Sequence, residues 1–373
     1  MYEFGIIRKY KTLGGIGMSN LEKLRHVMAE QTIEALLVYS PYNLRYIANF
    51  TGTTGYALVT QEKAYFITDA RYTEQAAKQA VGYEIVQNKG AWVNVLVDLV
   101  EKEQIKELSF EANHVTVAEL HHFEEVLPLE VDLNPVGTII ETIREIKTEE
   151  ELEIIRKACE ISDKAFDHIL TFIKPGVTTE IEVANELDFY MRSLGATGVS
   201  FDTIVASGYR SAMPHGVASD KVIQNGELLT MDYGCYYKGY VSDKTRTVAV
   251  GEISDQLKDI YQVTLDAQLL VAQKAKPGMT GADLDKIARD YITEKGYGEY
   301  FVHSLGHGIG LEIHEGPGVN RLADTPLVPG HVITNEPGIY LPGIGGVRIE
   351  DDMIVTETGV EVIQKAPKEL ITI

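Results

Sequence analysis

The segment MDYGCYYKGYVSDKTRT places Asp232 and Asp243 on two extended runs joined by a turn around Lys238-Gly239, where two carboxylates can face one another. Like charges at close range raise a pKa or require a counter-ion, so this pair is either a cation site or a solvated hairpin edge. A second segment, FVHSLGHGIGLEIHEGPG, puts three of the chain's ten histidines, His303, His307 and His314, in a glycine-rich stretch that cannot form an ordinary helix. For this stretch alone, surface imidazoles and nitrogen ligands to a transition metal are both open readings. The third segment, VITNEPGIYLPGIGGVRIEDDMIV, carries Glu336 immediately before Pro337-Gly338. It also sets Glu350 in an apolar strand, with Arg348 two residues away on the same face. A glutamate in such a strand requires a partner. Together Asp232, Asp243, His307, Glu336 and Glu350 make a hard, oxygen-rich donor set suited to Mn²⁺, with Co²⁺, Fe²⁺ or Zn²⁺ as further candidates. Carboxylates that bridge are how two such ions are kept about 3.5 to 4 Å apart.

The elements that must position these residues follow from hydrophobic periodicity. Residues 1–17 read as a leader or tail before a natural start at Met18, and Ser19 with Glu22 forms a capping box that opens a helix. From there to about 140 the chain alternates helix and strand, predicting a small α/β domain over 18–140 with a mixed sheet. This domain shows no G-x-G-x-x-G fingerprint and no evident chemistry. A boundary is expected between Pro135 and Lys147, after which Thr148 and Glu151 open a long helix that stops at Pro175-Gly176. Helices in blocks beside antiparallel strands then predict an α+β domain over 141–373, and the donor set falls wholly within it.

Composition removes several classes of function. With 34 basic and 55 acidic side chains in 373 residues the formal charge is -21, which repels nucleic-acid phosphate and anionic membrane surfaces. No stretch approaches the roughly 18 to 20 apolar residues of a bilayer span, and the first residues lack the apolar core of a signal peptide. The two cysteines, Cys159 and Cys235, have neither disulfide nor metal spacing, so a cytoplasmic, reducing compartment is expected.

These motifs resemble the pita-bread-fold metallopeptidases, specifically the Xaa-Pro branch that contains aminopeptidase P and Xaa-Pro dipeptidase (prolidase), from Ser19 onward. The resemblance implies a creatinase-type N-terminal domain before the pita-bread catalytic domain. It further implies that Asp232 binds one metal ion, that His307 and Glu336 bind the other, and that Asp243 and Glu350 bridge both. His215 in SAMPHG, His303 and His314 match substrate-contacting positions, and Arg348 and Tyr340 match supporting ones. Lys244 departs from the family's usual apolar residue; as a strand neighbour of Asp243 it is expected to point the opposite way.

The implied reaction is attack of metal-activated water on the carbonyl preceding proline, with Glu336 carrying the proton to the leaving amine. The segment SFDTIVASGYRSAMPHGVAS resembles bacterial aminopeptidase P more closely, so release of the first residue from Xaa-Pro peptides is the expectation and Xaa-Pro dipeptidase the alternative. A homodimer is expected. Creatinase-like, metal-free chemistry does not require the full donor set, and methionine aminopeptidases generally lack an N-terminal domain of this kind. A silent binding protein on the same scaffold would be expected to have lost donors.

Overall fold

The computed structural model describes residues 17–373, so the expected leader, residues 1–17, lies outside the described residues except for Gly17. The chain divides into two compact units between Arg144 and Glu145, inside a helix over Ile139–Glu145, whereas the sequence places the boundary after residue 140.

The first unit follows the order α1 (Asn20–Glu30), β1 (Ala35–Val38), α2 (Pro41–Ala48), β2 (Tyr56–Thr60), β3 (Ala64–Thr68), α3 (Thr73–Gln79) and β4 (Glu84–Gln87). It continues through α4 (Trp92–Lys102), β5 (Glu107–Glu111), α5 (Val117–Val126), β6 (Asp132–Val136) and α6 (Ile139–Glu145). The strands form one mixed sheet in the order β4-β3-β2-β1-β5-β6. The meander β1-β2-β3 is antiparallel, while β4, β5 and β6 join in parallel behind crossover helices. Ser19 and Glu22 form the expected capping box on α1. Helix α2 goes unread in the sequence, although the Ser40 side chain caps it and Pro41 occupies its first turn.

In the second unit, α7 (Glu149–Phe172) and α8 (Glu180–Ser193) open on capping boxes, Thr148 with Glu151 and Thr179 with Glu182. Strands β7 (Gly198–Val199), β8 (Ile204–Ser207), β9 (Glu227–Asp232), β10 (Cys235–Tyr237), β11 (Tyr240–Val241) and β12 (Thr245–Val250) follow. Next come α9 (Asp255–Lys274), α10 (Gly281–Glu294), β13 (Gly306–Gly308), β14 (Glu315–Val319) and β15 (Val332–Asn335). The unit ends on β16 (Gly338–Leu341), β17 (Gly345–Arg348), β18 (Asp351–Val355) and β19 (Val360–Val362).

Strand alternation explains how this unit aims side chains. Leu229 and Met231 of β9, with Val248 and Val250 of β12, bury against α7 and α8. The opposite faces pair Asp232 with Thr245 and Thr230 with Thr247 across the ladder. A second apolar core, including Ile260, Leu284 and Ile339, fills the space beneath α9 and α10. Truncating one of these buried aliphatics to Ala costs about 2 to 5 kcal/mol.

The connection between the two aspartates differs from the expected hairpin. β9 and β12 do pair antiparallel, but the chain between them leaves that sheet and forms the β10-β11 hairpin of another. The crossing is permitted at Gly234, where a Cβ would collide with the Ser242 carbonyl oxygen. Asp243 therefore lies just before β12 rather than on a strand, and Glu350 lies in the break between β17 and β18 rather than within one strand.

Candidate metal centre

Among the described residues, ligand atoms of Asp243, His307 and Glu350 lie within 4.8 Å of one another. His307 projects from β13 with its Nε2 3.5 Å from Asp243 Oδ2 and 3.4 Å from Glu336 Oε1. Asp232 lines the same cleft, of about 530 Å³, with His215, His303, His314 and Arg348. Each donor has its own support. The Thr334 hydroxyl donates to Glu336 Oε1 (3.1 Å) and accepts from the His307 backbone N–H (3.0 Å). The Thr245 hydroxyl donates to Glu350 Oε2 (2.6 Å). Arg348 donates to Asp232 Oδ2 (2.5 Å), Tyr340 Oη (2.8 Å), Thr245 Oγ1 (3.0 Å) and the Pro214 carbonyl (3.1 Å).

Three features of this arrangement fit a cation. First, His307 Nδ1 donates to the Gly308 carbonyl at 3.1 Å, which in the neutral ring leaves the Nε2 lone pair facing two carboxylate oxygens. Lone pair against carboxylate is repulsive unless a proton or a metal ion lies between them, and a metal ion satisfies both acids and the imidazole at once. Second, Asp232 Oδ1 is buried with no hydrogen-bond partner. Third, burial, reinforced by the charges of Asp232, Asp352 and Glu336, holds Asp243 well above the usual carboxylate range. Burial and the charges of Asp243, Glu336 and Asp232 do the same to Glu350, and burial pushes Glu336 up to about 8 against the opposing pull of Arg348. Carboxylates that resist ionising together are ready ligands for a pair of divalent ions.

The imidazoles are kept neutral. Burial lowers His303 and His307 to about 4, and burial with the neighbouring His215 lowers His314. His303 Nδ1 donates to the Ser304 carbonyl (2.7 Å), so its Nε2 accepts from Tyr340 Oη at 2.8 Å. The His314 ring lies edge-on to His307, centroids 4.3 Å apart. His215 is exposed at the cleft, in the turn that Arg348 holds by the Pro214 carbonyl. Lys244 is fully buried and points away from the cleft, its Nζ 2.8 Å from Asp163. Sequence reasoning missed Thr245, Thr334, Asp352 and Gln364, all buried beside the donors. Only the doubled acid Asp351-Asp352 in an apolar strand carried a signal, because such groups need partners.

Comparison with known proteins identifies the class that this fold and site define. Residues 153–357 match metallopeptidase family M24, and residues 20–146 match the creatinase/prolidase N-terminal domain. The chain belongs to metallopeptidase family M24: it is a metal-dependent peptidase, with a creatinase-type domain ahead of a pita-bread catalytic domain. It is 54% identical to an Xaa-Pro dipeptidase from Bacillus anthracis, with a TM-score of 0.93 over 95% of this chain and 99% of that one. It is 41% identical to an Xaa-Pro dipeptidase of Pyrococcus furiosus over 94% of this chain and 99% of that one. An X-Pro aminopeptidase from Thermotoga maritima is 39% identical, with a TM-score of 0.87 over 93% of this chain and 100% of that one.

Proposed function

We propose that this chain is an Xaa-Pro dipeptidase that holds two divalent ions, Mn²⁺ by preference, through Asp232, Asp243, His307, Glu336 and Glu350. The observation that carries the metal reading is the His307 Nε2 lone pair turned toward the carboxylates of Asp243 and Glu336. The dipeptide reading rests on the dipeptidase relatives from Bacillus anthracis and Pyrococcus furiosus, and it takes the place of the aminopeptidase P expectation. The bound ions supply Lewis acidity and a water deprotonated near neutral pH.

The chain's own residues do the rest. Glu336, with Thr334 fixing Oε1, takes a proton from the attacking water at its other oxygen and delivers it to the proline nitrogen as the C–N bond breaks. His303 spends both ring nitrogens on Ser304 and Tyr340 and so shapes the cleft wall, while neutral His314, together with His215, offers hydrogen bonds to the substrate. Arg348 keeps Asp232 aimed while tethering the His215 turn. Proline has no N–H at the scissile bond, so this site needs no acceptor for one. A cytoplasmic location agrees with two buried free thiols, and a homodimer remains the expected assembly, to be checked by sedimentation equilibrium.

The test is hydrolysis of Xaa-Pro dipeptides and Xaa-Pro-Xaa tripeptides by chelator-stripped protein reloaded with Mn²⁺, beside Glu336→Gln. Dipeptide cleavage that needs metal and falls by about 10² to 10⁴ in kcat in the variant is expected. Equal or faster tripeptide cleavage would restore the aminopeptidase reading, and inactivity on both would remove the Xaa-Pro assignment.

A further inference from the structure

Asp243 sits outside the regular ladder, so something other than strand pairing must fix it. Both of its peptide groups are taken by side chains. Its N–H donates to Asp352 Oδ2 at 3.0 Å, and its carbonyl accepts from Gln364 Nε2 at 2.7 Å. These two side chains also bind each other. Gln364 Nε2 donates to Asp352 Oδ2 (2.7 Å), and Gln364 Oε1 accepts the Asp352 backbone N–H (2.7 Å). The Cys159 thiol adds a third donor to Asp352 Oδ2 at 3.2 Å. Gln364 is 2% exposed and lies beyond residues 153–357, the part matched to the peptidase family.

The segment that carries Gln364 is itself anchored. The Lys365 and Ala366 N–H groups donate to the Asp163 carboxylate at 2.6 and 3.2 Å, and Lys244, next to Asp243, holds the same carboxylate at 2.8 Å. Arg246 donates to the Ala366 and Pro367 carbonyls, each at 3.0 Å, and Tyr261 Oη donates to the Lys368 carbonyl at 2.7 Å. A side chain mounted on so many fixed points has little freedom to follow Asp243; Asp243 must follow it.

We propose that Gln364 is a positioning residue for Asp243: with Asp352 it clamps the Asp243 backbone from behind and so sets where that carboxylate meets the metal ions. The proposal rests on the reading of Asp243 as a metal donor. Supporting residues of this kind are worth about 10- to 100-fold in metal affinity.

The test is calorimetric Mn²⁺ titration of the metal-free, full-length protein, comparing the parent with Gln364→Met and Asp243→Asn, and with unfolding of the metal-free forms followed alongside. Methionine keeps the length and apolar volume of glutamine but donates nothing. Mn²⁺ binding weakened by about 10-fold or more in Gln364→Met, with the metal-free form still folded and unfolding in one cooperative transition, is expected. Parent-like Mn²⁺ affinity in Gln364→Met while Asp243→Asn loses it would overturn the clamp and leave the donor set standing. Parent-like affinity in Asp243→Asn would take down the donor assignment and the clamp together. If Gln364→Met does not fold, Gln364→Glu, which keeps the acceptor for Asp352 N–H and drops the amide donor, is read the same way.

Discussion

Replacing Arg348 by methionine separates its two jobs, neutralising acids and aiming them. The guanidinium is 3% exposed and spends its donors on Asp232, Tyr340, Thr245 and the Pro214 carbonyl. Glu350 and Glu336 also lie within its electrostatic reach. Without metal, Arg348 is thus the cation facing this group of carboxylates. Removing one partner of a buried ion pair costs about 3 to 5 kcal/mol, because the other charge stays buried and uncompensated. With Mn²⁺ bound, the ions supply that compensation, and the remaining loss is the neutral bonds to Tyr340, Thr245 and Pro214, at about 1 kcal/mol each. The neutral bonds are lost in both states, so Arg348→Met should lower unfolding free energy more in the metal-free protein than in the loaded one, by an excess of about 3 to 5 kcal/mol. The assay is urea denaturation followed by circular dichroism, with chelator or with saturating Mn²⁺. Equal losses in both states would refute the reasoning, since the arginine would then act by packing alone.

Two further outcomes follow from other buried groups. His331 is fully buried and lowered to about 3 by burial, so between that value and its unfolded pKa near 6.5 the unfolded chain takes the proton and the folded one does not. Its share of stability is complete above about pH 6.5 and declines by up to about 1.4 kcal/mol per unit as pH falls. His331→Asn, whose side-chain oxygen can still accept from Val328 N–H, should flatten the acid limb of stability against pH; parallel limbs would contradict this. Lys244→Met strands Asp163 without its cation, leaving only the Lys365 and Ala366 N–H donors, and should cost about 3 kcal/mol in urea melts. Stability equal to the parent's would show the Lys244 pair to be dispensable.

Much of the fold was legible because its signals are local. The capping boxes at Ser19 and Thr148 and the stop at Pro175-Gly176 each depend on a few adjacent residues. The candidate donors Asp232, Asp243, His307, Glu336 and Glu350 stood out in the sequence because acids and imidazoles among glycines and apolar strands have few other uses, and the structure brings ligand atoms of Asp243, His307 and Glu350 within 4.8 Å of one another. The backbone settings of these candidates were not legible. The sheet change at Gly234 and the break at Glu350 interrupt the two-residue period that would have shown which face each residue takes. Thr245 and Gln364 carried no signal at all, since each meets a candidate donor more than 100 residues away in the chain, Glu350 and Asp243 respectively.

The order of these parts along the chain has a consequence for biosynthesis. The first unit is complete by Arg144, and domains emerging at about 5 to 20 residues per second fold largely as they appear. The proposed donors lie between Asp232 and Glu350, and Gln364, whose amide donates to the Asp243 carbonyl, comes later still. A nascent chain therefore displays Asp232 and Asp243 well before the groups that would choose their ion. On the donor assignment proposed above, the site is complete only once Gln364 has been made, so metal loading belongs to the folded protein.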